Sequence, residues 1–236
     1  MSPKTPPPPS LLPALRSNAW FGACPAAFQQ ALLERACLWQ LQPGEALFER
    51  GEEAEGLCCV VSGALHAGAV HADGTRTLLA HLEPYQWFGE VSMLDDLPRT
   101  HDAVADSAAS VLVVPRASLM HWLAEHPADW QHLARLACAK LRLVFTVLED
   151  IQRLPLEQRL AKRLWLTAHG YDSDAPQAPP RRQIRVPQEQ LALMLGVSRQ
   201  SVNKALRQLE VQGLLGLRYG SIELLDLPAL QRLFAA

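Results

Sequence analysis

Between residues 43 and 89, glycine recurs at short, fairly even intervals: Pro43-Gly44, Arg50-Gly51, Ser62-Gly63, Asp73-Gly74 and Phe88-Gly89. Short apolar runs stand between these turns, at 47–48, 57–61, 65–70 and 78–82. The turns are spaced close to ten residues apart, with these runs between them. Such a rhythm predicts a small all-β roll or jelly roll, with 111–114 as its closing strand.

The flanks read differently. The first 18 residues open MSPKTPPPPS, which predicts an extended or disordered tail and lacks the apolar core of a signal peptide. Residues 20–39 read as a short helical lead-in with Phe28, Leu32 and Leu33 on its apolar side. After the roll come a helix over 116–125, a break at Pro127 and a long helix from about 128 to 153. Leu133, Ala137, Val144, Val147, Ile151 and Leu154 fit a heptad seam on it, with Lys140 as the one intruder. Leu136, Leu143 and Leu148 form a second stripe. Two stripes need two partners, so one is expected to pack on the roll and the other on a second copy of the chain. The blander alternative is a helix buried wholly in its own domain. Pro155 marks a hinge, a helix follows over 156–169, and residues 171–182 form a polar, Pro-rich loop.

Residues 188–215 read as two short helices around a tight turn, Gly196-Val197-Ser198. Leu191, Ala192 and Leu195 make the apolar face of the first; Val202, Ala205, Leu206 and Leu209 make that of the second. Arg199, Gln200, Asn203, Lys204 and Arg207 occupy the opposite face of the second helix, with no acid before Glu210. An apolar back and a donor-rich front are what a major-groove reader needs, and Ser198 can cap the helix so that its positive end faces phosphate. A strand–turn–strand wing over 217–224 brings Arg218. The candidate DNA contacts are Ser198, Arg199, Gln200, Ser201, Asn203, Lys204, Arg207 and Arg218.

Charge supports this placement. The 236 residues carry a formal net charge of −2. From residue 154 onward, 11 Lys/Arg face 7 Asp/Glu, a local excess of +4 that suits a polyanion partner. No run of 18 apolar residues exists to span a membrane, and five cysteines in a large cored chain fit the reduced thiols of a cytoplasm. No Ser/His/Asp order, Walker loop or paired carboxylates suggest catalysis, so the chain is not expected to be an enzyme. A cupin metal site built from His66, His71, His81, Glu83 and Glu90 is the rival reading. It lacks the two-histidine spacing that cupins use, so no metal is expected.

In this order and spacing, several weak marks add up. They are Pro43-Gly44 with Phe48 and Gly51, Val61-Ser62-Gly63, residues 88–94 (FGEVSML), Pro98-Arg99, and Gly196-Val197-Ser198-Arg199. Over residues 20–230 the chain resembles the Crp/Fnr family of bacterial transcription regulators. The resemblance implies an α+β fold: a cyclic-nucleotide-binding-like β-roll over 19–127, a dimerisation helix over 128–154 and a winged helix-turn-helix over 155–236. It also implies a cytoplasmic homodimer that binds a near-palindromic site on double-stranded DNA and meets RNA polymerase. An effector-binding module without DNA binding is the alternative.

Residue by residue, Arg199 matches the family arginine that contacts guanine and Lys204 a second basic reader. Gln200 stands where many members have glutamate, which implies a different base at that position of the half-site. Gly89, Glu90, Val91, Ser92, Arg99 and Thr100 occupy the phosphate-binding cassette. There the glutamate holds a ribose hydroxyl, and the arginine and following hydroxyl hold a cyclic phosphate. The bland alternative is a fold-stabilising turn in which Glu90 and Arg99 bridge each other. Asp102 is expected to crowd the phosphate or compete for Arg99. Counting back from Arg159 puts Val144 and Phe145 where the cyclic AMP receptor protein carries its adenine-binding Thr-Ser pair. A cyclic nucleotide or other small effector is therefore expected at most, and cyclic AMP is disfavoured. An iron–sulfur sensor is also disfavoured: Cys24 and Cys37 are 13 apart, and adjacent Cys58 and Cys59 should face opposite sides of a strand. Haem through His66, His71 or His81 has no supporting spacing.

Overall fold

The computed structural model describes residues 5–170 and 180–235. The predicted 171–182 loop therefore lies almost wholly outside the described residues, as do the first four of the N-terminal tail. The chain falls into two compact units, one reaching to Thr75 and including Leu79–Lys140, the other taking Arg76–Leu78 and Leu141 onward.

Two four-stranded antiparallel sheets form the roll. The first has the order β1 (Cys37–Leu41), β8 (Ala109–Pro115), β3 (Gly56–Ser62), β6 (Trp87–Phe88). The second has the order β2 (Ala46–Phe48), β7 (Asp102–Ala105), β4 (Leu65–Val70), β5 (Arg76–Leu82). Strand alternation sorts the side chains. Cys58, Val60, Val111 and Val113 of the first sheet share an interior core with Leu65, Leu82, Ala103 and Ala105 of the second. Leu57, Cys59, Leu112 and Val114 face the other way, into a core shared with helices.

Those helices are α1 (Leu12–Leu15), α2 (Ala19–Ala23), α3 (Ala26–Arg35) and α5 (Arg116–Glu125), with the start of the long α6 (Trp130–Arg153); the short α4 (Val91–Asp95) follows β6. Phe21, Phe28, Leu32, Leu119, Leu133 and Leu136 fill the layer between them and the sheet. Two expectations need correction here. The described part of the N-terminal segment is not a free tail: Thr5 pairs with Leu38 on the open edge of β1, and Leu11 and Leu15 are buried in this core. The two leucines anchor the chain just beyond the proline run. The helical lead-in likewise ends at Arg35, because Cys37-Leu38-Trp39-Gln40-Leu41 pairs with β8 as a strand.

α6 departs from the two-stripe expectation. Leu133 of one stripe and Leu136 of the other are both buried, whereas Val144, Leu148 and Ile151 are all exposed, together with Leu141 and Phe145. Burial therefore falls off along the helix as well as varying around it, with Leu143 and Val147 part-buried among the later turns. The first turns belong to the core of the roll; the later turns carry an uncovered apolar face.

In the second unit, α7 (Leu156–Ala168), α8 (Gln188–Leu195), α9 (Arg199–Val211) and α10 (Leu227–Arg232) surround one core. A three-stranded sheet, β10 (Leu215–Arg218), β11 (Ser221–Leu224) and β9 (Gln183–Ile184), completes it. Pro155 starts α7, and Lys162 spans the break back to Asp150 at 2.7 Å.

Candidate nucleic-acid interface and sensor cassette

α8 and α9 meet at the predicted turn. Gly196 takes the left-handed conformation (φ 65°) that ends α8, and the Val197 amide closes the turn onto the Ala192 carbonyl at 3.0 Å. Ser198 then caps α9, its hydroxyl accepting from the Ser201 amide at 3.1 Å. Val202, Ala205, Leu206 and Leu209 are buried as the periodicity requires. The opposite face borders an open groove of about 740 Å³ lined by Gln200, Ser201, Asn203, Lys204, Arg207 and Gln208, among others.

The candidate contacts are not equally available. Arg199, Gln200 and Lys204 are exposed, and no other described residue ties their side chains. Ser198 and Ser201 bond each other through their hydroxyls at 2.9 Å, as part of the cap. Asn203 is held on both sides, by Gln188 and Arg207. Arg218, on the wing, lies 3.3 Å from Glu223 across the hairpin and is still largely exposed. Tyr219, at the wing tip beside it, is fully exposed; sequence reasoning did not single it out.

The cassette is brought together around the turn between β6 and α4. Gly89 needs to be glycine on two counts: its φ is 89°, and a Cβ there would lie 2.6 Å from Arg99 Nη1. Arg99 is buried. Its two terminal nitrogens donate to the Gly89 carbonyl at 3.1 Å and the Gly56 carbonyl at 2.6 Å, and its guanidinium lies over the Phe48 ring. Glu90 is also buried, and its partner is Lys140 of α6, at 2.7 Å. The seam's one intruder thus serves the cassette, and the alternative of a Glu90–Arg99 bridge is not the arrangement found. Asp102 is engaged too: its carboxylate accepts the Arg50 amide at 2.8 Å, so it does not compete for Arg99. Ser92 bonds the Pro98 carbonyl, Thr100 contacts His101, and Val91 is exposed on α4.

Chemically, the cassette offers one guanidinium, one carboxylate and one exposed hydroxyl. These groups suit a phosphate and a ribose hydroxyl. For Arg99 and Glu90 to serve, a ligand must share or displace the two carbonyls and Lys140.

Cys58 and Cys59 face different cores, as strand geometry demands. Burial pushes the Cys58 thiol up to about 12 and the Cys59 thiol well above its ordinary value, which leaves both protonated and inert. His66 and His81 converge on Asp106, at 2.7 and 3.2 Å. Among the described residues, no three His, Cys, Asp or Glu side chains are arranged to hold a metal ion.

Residues 38–126 match the cyclic nucleotide-binding domain family, and residues 158–233 match the Crp-like helix-turn-helix domain family. The CRP-like cAMP-activated global transcriptional regulator of Mycobacterium tuberculosis is 31% identical over 198 residues, covering 82% of this chain and 88% of that one. The cyclic AMP receptor protein of Thermus thermophilus is 28% identical, covering 80% and 84%. Among solved structures, FixK2 from Bradyrhizobium japonicum superimposes with a TM-score of 0.73 at 25% identity, over 85% of this chain and 98% of its own. With a roll carrying the cassette, a capped helix pair with an exposed polar face, and these relatives, the chain belongs to the Crp/Fnr family and is a DNA-binding transcription regulator with a sensor domain of the cyclic-nucleotide-binding type.

Proposed function

We propose that two copies of the chain pair along α6 and read a near-palindromic site on double-stranded DNA in the cytoplasm. RNA polymerase is the further partner by family resemblance. The observation that carries this reading is the uncovered apolar face of α6: Leu141, Val144, Phe145, Leu148 and Ile151 are each at least half exposed. An amphipathic helix with such a face is stabilised by a like helix. A two-fold pair then presents two copies of α9 to two half-sites. Arg199, Gln200 and Lys204 are the base readers, and Arg207 and Arg218 contact phosphate.

For the sensor cassette, we propose that any effector is a small molecule other than cyclic AMP. Arg99 and Glu90 already have internal partners. By count along the sequence, Val144 and Phe145 stand where the family resemblance puts an adenine-binding Thr-Ser pair, and neither side chain can hydrogen-bond. Two relatives are named for cyclic AMP, so this is the point at which the chain is proposed to depart from them.

Binding-site selection with and without a panel of cyclic nucleotides, beside sedimentation of the free protein, tests the reading. The expected result is a dimer, two inverted half-sites centred roughly 34 Å apart, and no response to cyclic AMP. A monomer on a single half-site would overturn the dimer. Micromolar cyclic AMP binding that disappears in Arg99→Ala would overturn the effector assignment.

A further inference from the structure

We propose that Asn203 is a positioning residue, not a base reader: it ties the start of α8 to Arg207 and fixes how Arg207 is presented to DNA. The inference rests on α9 being the reading helix. Asn203 Nδ2 donates to Gln188 Oε1 at 3.0 Å, and Arg207 Nε donates to Asn203 Oδ1 at 3.3 Å.

The direction of this relay is set by donor chemistry. A guanidinium can only donate, so the Asn203 oxygen must face Arg207 and its amide nitrogen must face away. Gln188 must then offer its oxygen in return. One charged side chain thereby orients two amides, across the turn between α8 and α9.

The relay has two consequences at the interface. An asparagine reads adenine by using its oxygen and its nitrogen together. In Asn203 both are committed to neighbours, in contrast to the untied Arg199, Gln200 and Lys204. Arg207, meanwhile, is held by Nε alone. Its two terminal nitrogens have no partner among the described residues and keep the fork that suits a phosphate. Asn203 and Gln188 therefore govern affinity through Arg207, and the sequence choice lies with the other three.

The test is binding-site selection plus a salt titration of affinity on the full-length protein, with Asn203→Ala, Gln188→Ala, Arg207→Ala and the Asn203→Ala/Arg207→Ala double variant. Thermal unfolding confirms that each is folded. Asn203→Ala is expected to keep the same half-site preference at every position and to bind all sequences about 2- to 10-fold more weakly, the range one net hydrogen bond supports. Its salt dependence should flatten towards that of Arg207→Ala, by up to about one unit of slope. Gln188→Ala should follow it, and the double variant should be no weaker than Arg207→Ala alone. A changed base preference in Asn203→Ala, or additive losses in the double variant, would overturn the inference. Arg199→Ala is the control for the underlying reading: if it leaves specificity intact, α9 is not the reader, whatever Asn203 does.

Discussion

Lys140 Nζ lies 2.7 Å from Oε2 of Glu90, joining a partly exposed ammonium on α6 to a carboxylate that is only 3% exposed at the side chain. The pairing answers the desolvation of Glu90, since a buried charge without a partner is costly. Lys140→Met should destabilise the protein by about 1–3 kcal/mol, the usual penalty for a buried group left unsatisfied. Glu90→Gln in that background should recover part of the loss. Urea denaturation of the four proteins in the cycle measures both effects, and equal midpoints throughout would show that the pair contributes nothing.

Gly196 offers a clean test of backbone conformation. A Cβ there meets nothing within 4 Å, yet the residue sits at φ 65°. Gly196→Ala should therefore cost about 1 kcal/mol from conformation alone. Gly196→Asn should cost less, because asparagine tolerates the left-handed region. Melting temperatures that rank glycine, asparagine, alanine in that order are the expected outcome.

Gln200 should decide one base pair of the half-site. Glutamine pairs bidentately with adenine, and glutamate accepts from cytosine N4. Gln200→Glu should shift the preferred base at a single position, with about 1–3 kcal/mol of discrimination. Selection on randomised DNA reads the change directly; an unaltered preference would remove Gln200 from the readers.

Asp106 makes acid stability a measurable property. His66 Nδ1 lies 2.7 Å from one carboxylate oxygen, and His81 Nδ1 lies 3.2 Å from the other without the alignment of a full hydrogen bond. Burial pushes the carboxyl up, but the two imidazoles outweigh it and hold the group well below the usual carboxylate range. A depressed value means that the stabilisation is present above the unfolded carboxylate value of about 3.9 and is lost as pH falls from there towards the folded value. Asp106→Asn should be about 1–3 kcal/mol less stable near neutrality, and the gap should close below about pH 4. Denaturation midpoints at several pH values give the curve. A gap that widens in acid would contradict the assignment.

The helix pair is legible in the sequence because its signals are local. Gly196 and Ser198 mark an end and a start, and four apolar residues at helical spacing mark a buried face; each acts within a few residues. The roll is legible from its glycine turns, although Trp87–Phe88 and Asp102–Ala105 do not stand out as strands, the first very short and the second weakly apolar. The features that escape are set by distant partners. Nothing near Lys140 indicates a carboxylate fifty residues away, and nothing near Asp102 points to the Arg50 amide. The amide relay through Asn203 depends on Gln188, which periodicity assigns only to a helix start. The α6 stripes mislead for another reason: a heptad pattern says which residues share a face, but not where along the helix the neighbouring core ends.

Under the pairing proposed above, that change at the middle of α6 would make abundance a control variable. The exposed face of Leu141, Phe145 and Leu148 would be buried by a second chain, so the paired fraction would follow protein concentration by mass action. At low copy number the proposed reading helices would act singly, with the weak grip of one half-site. As copies accumulate, pairing and DNA occupancy would rise together, and the response would be steeper than the change in protein level that drives it.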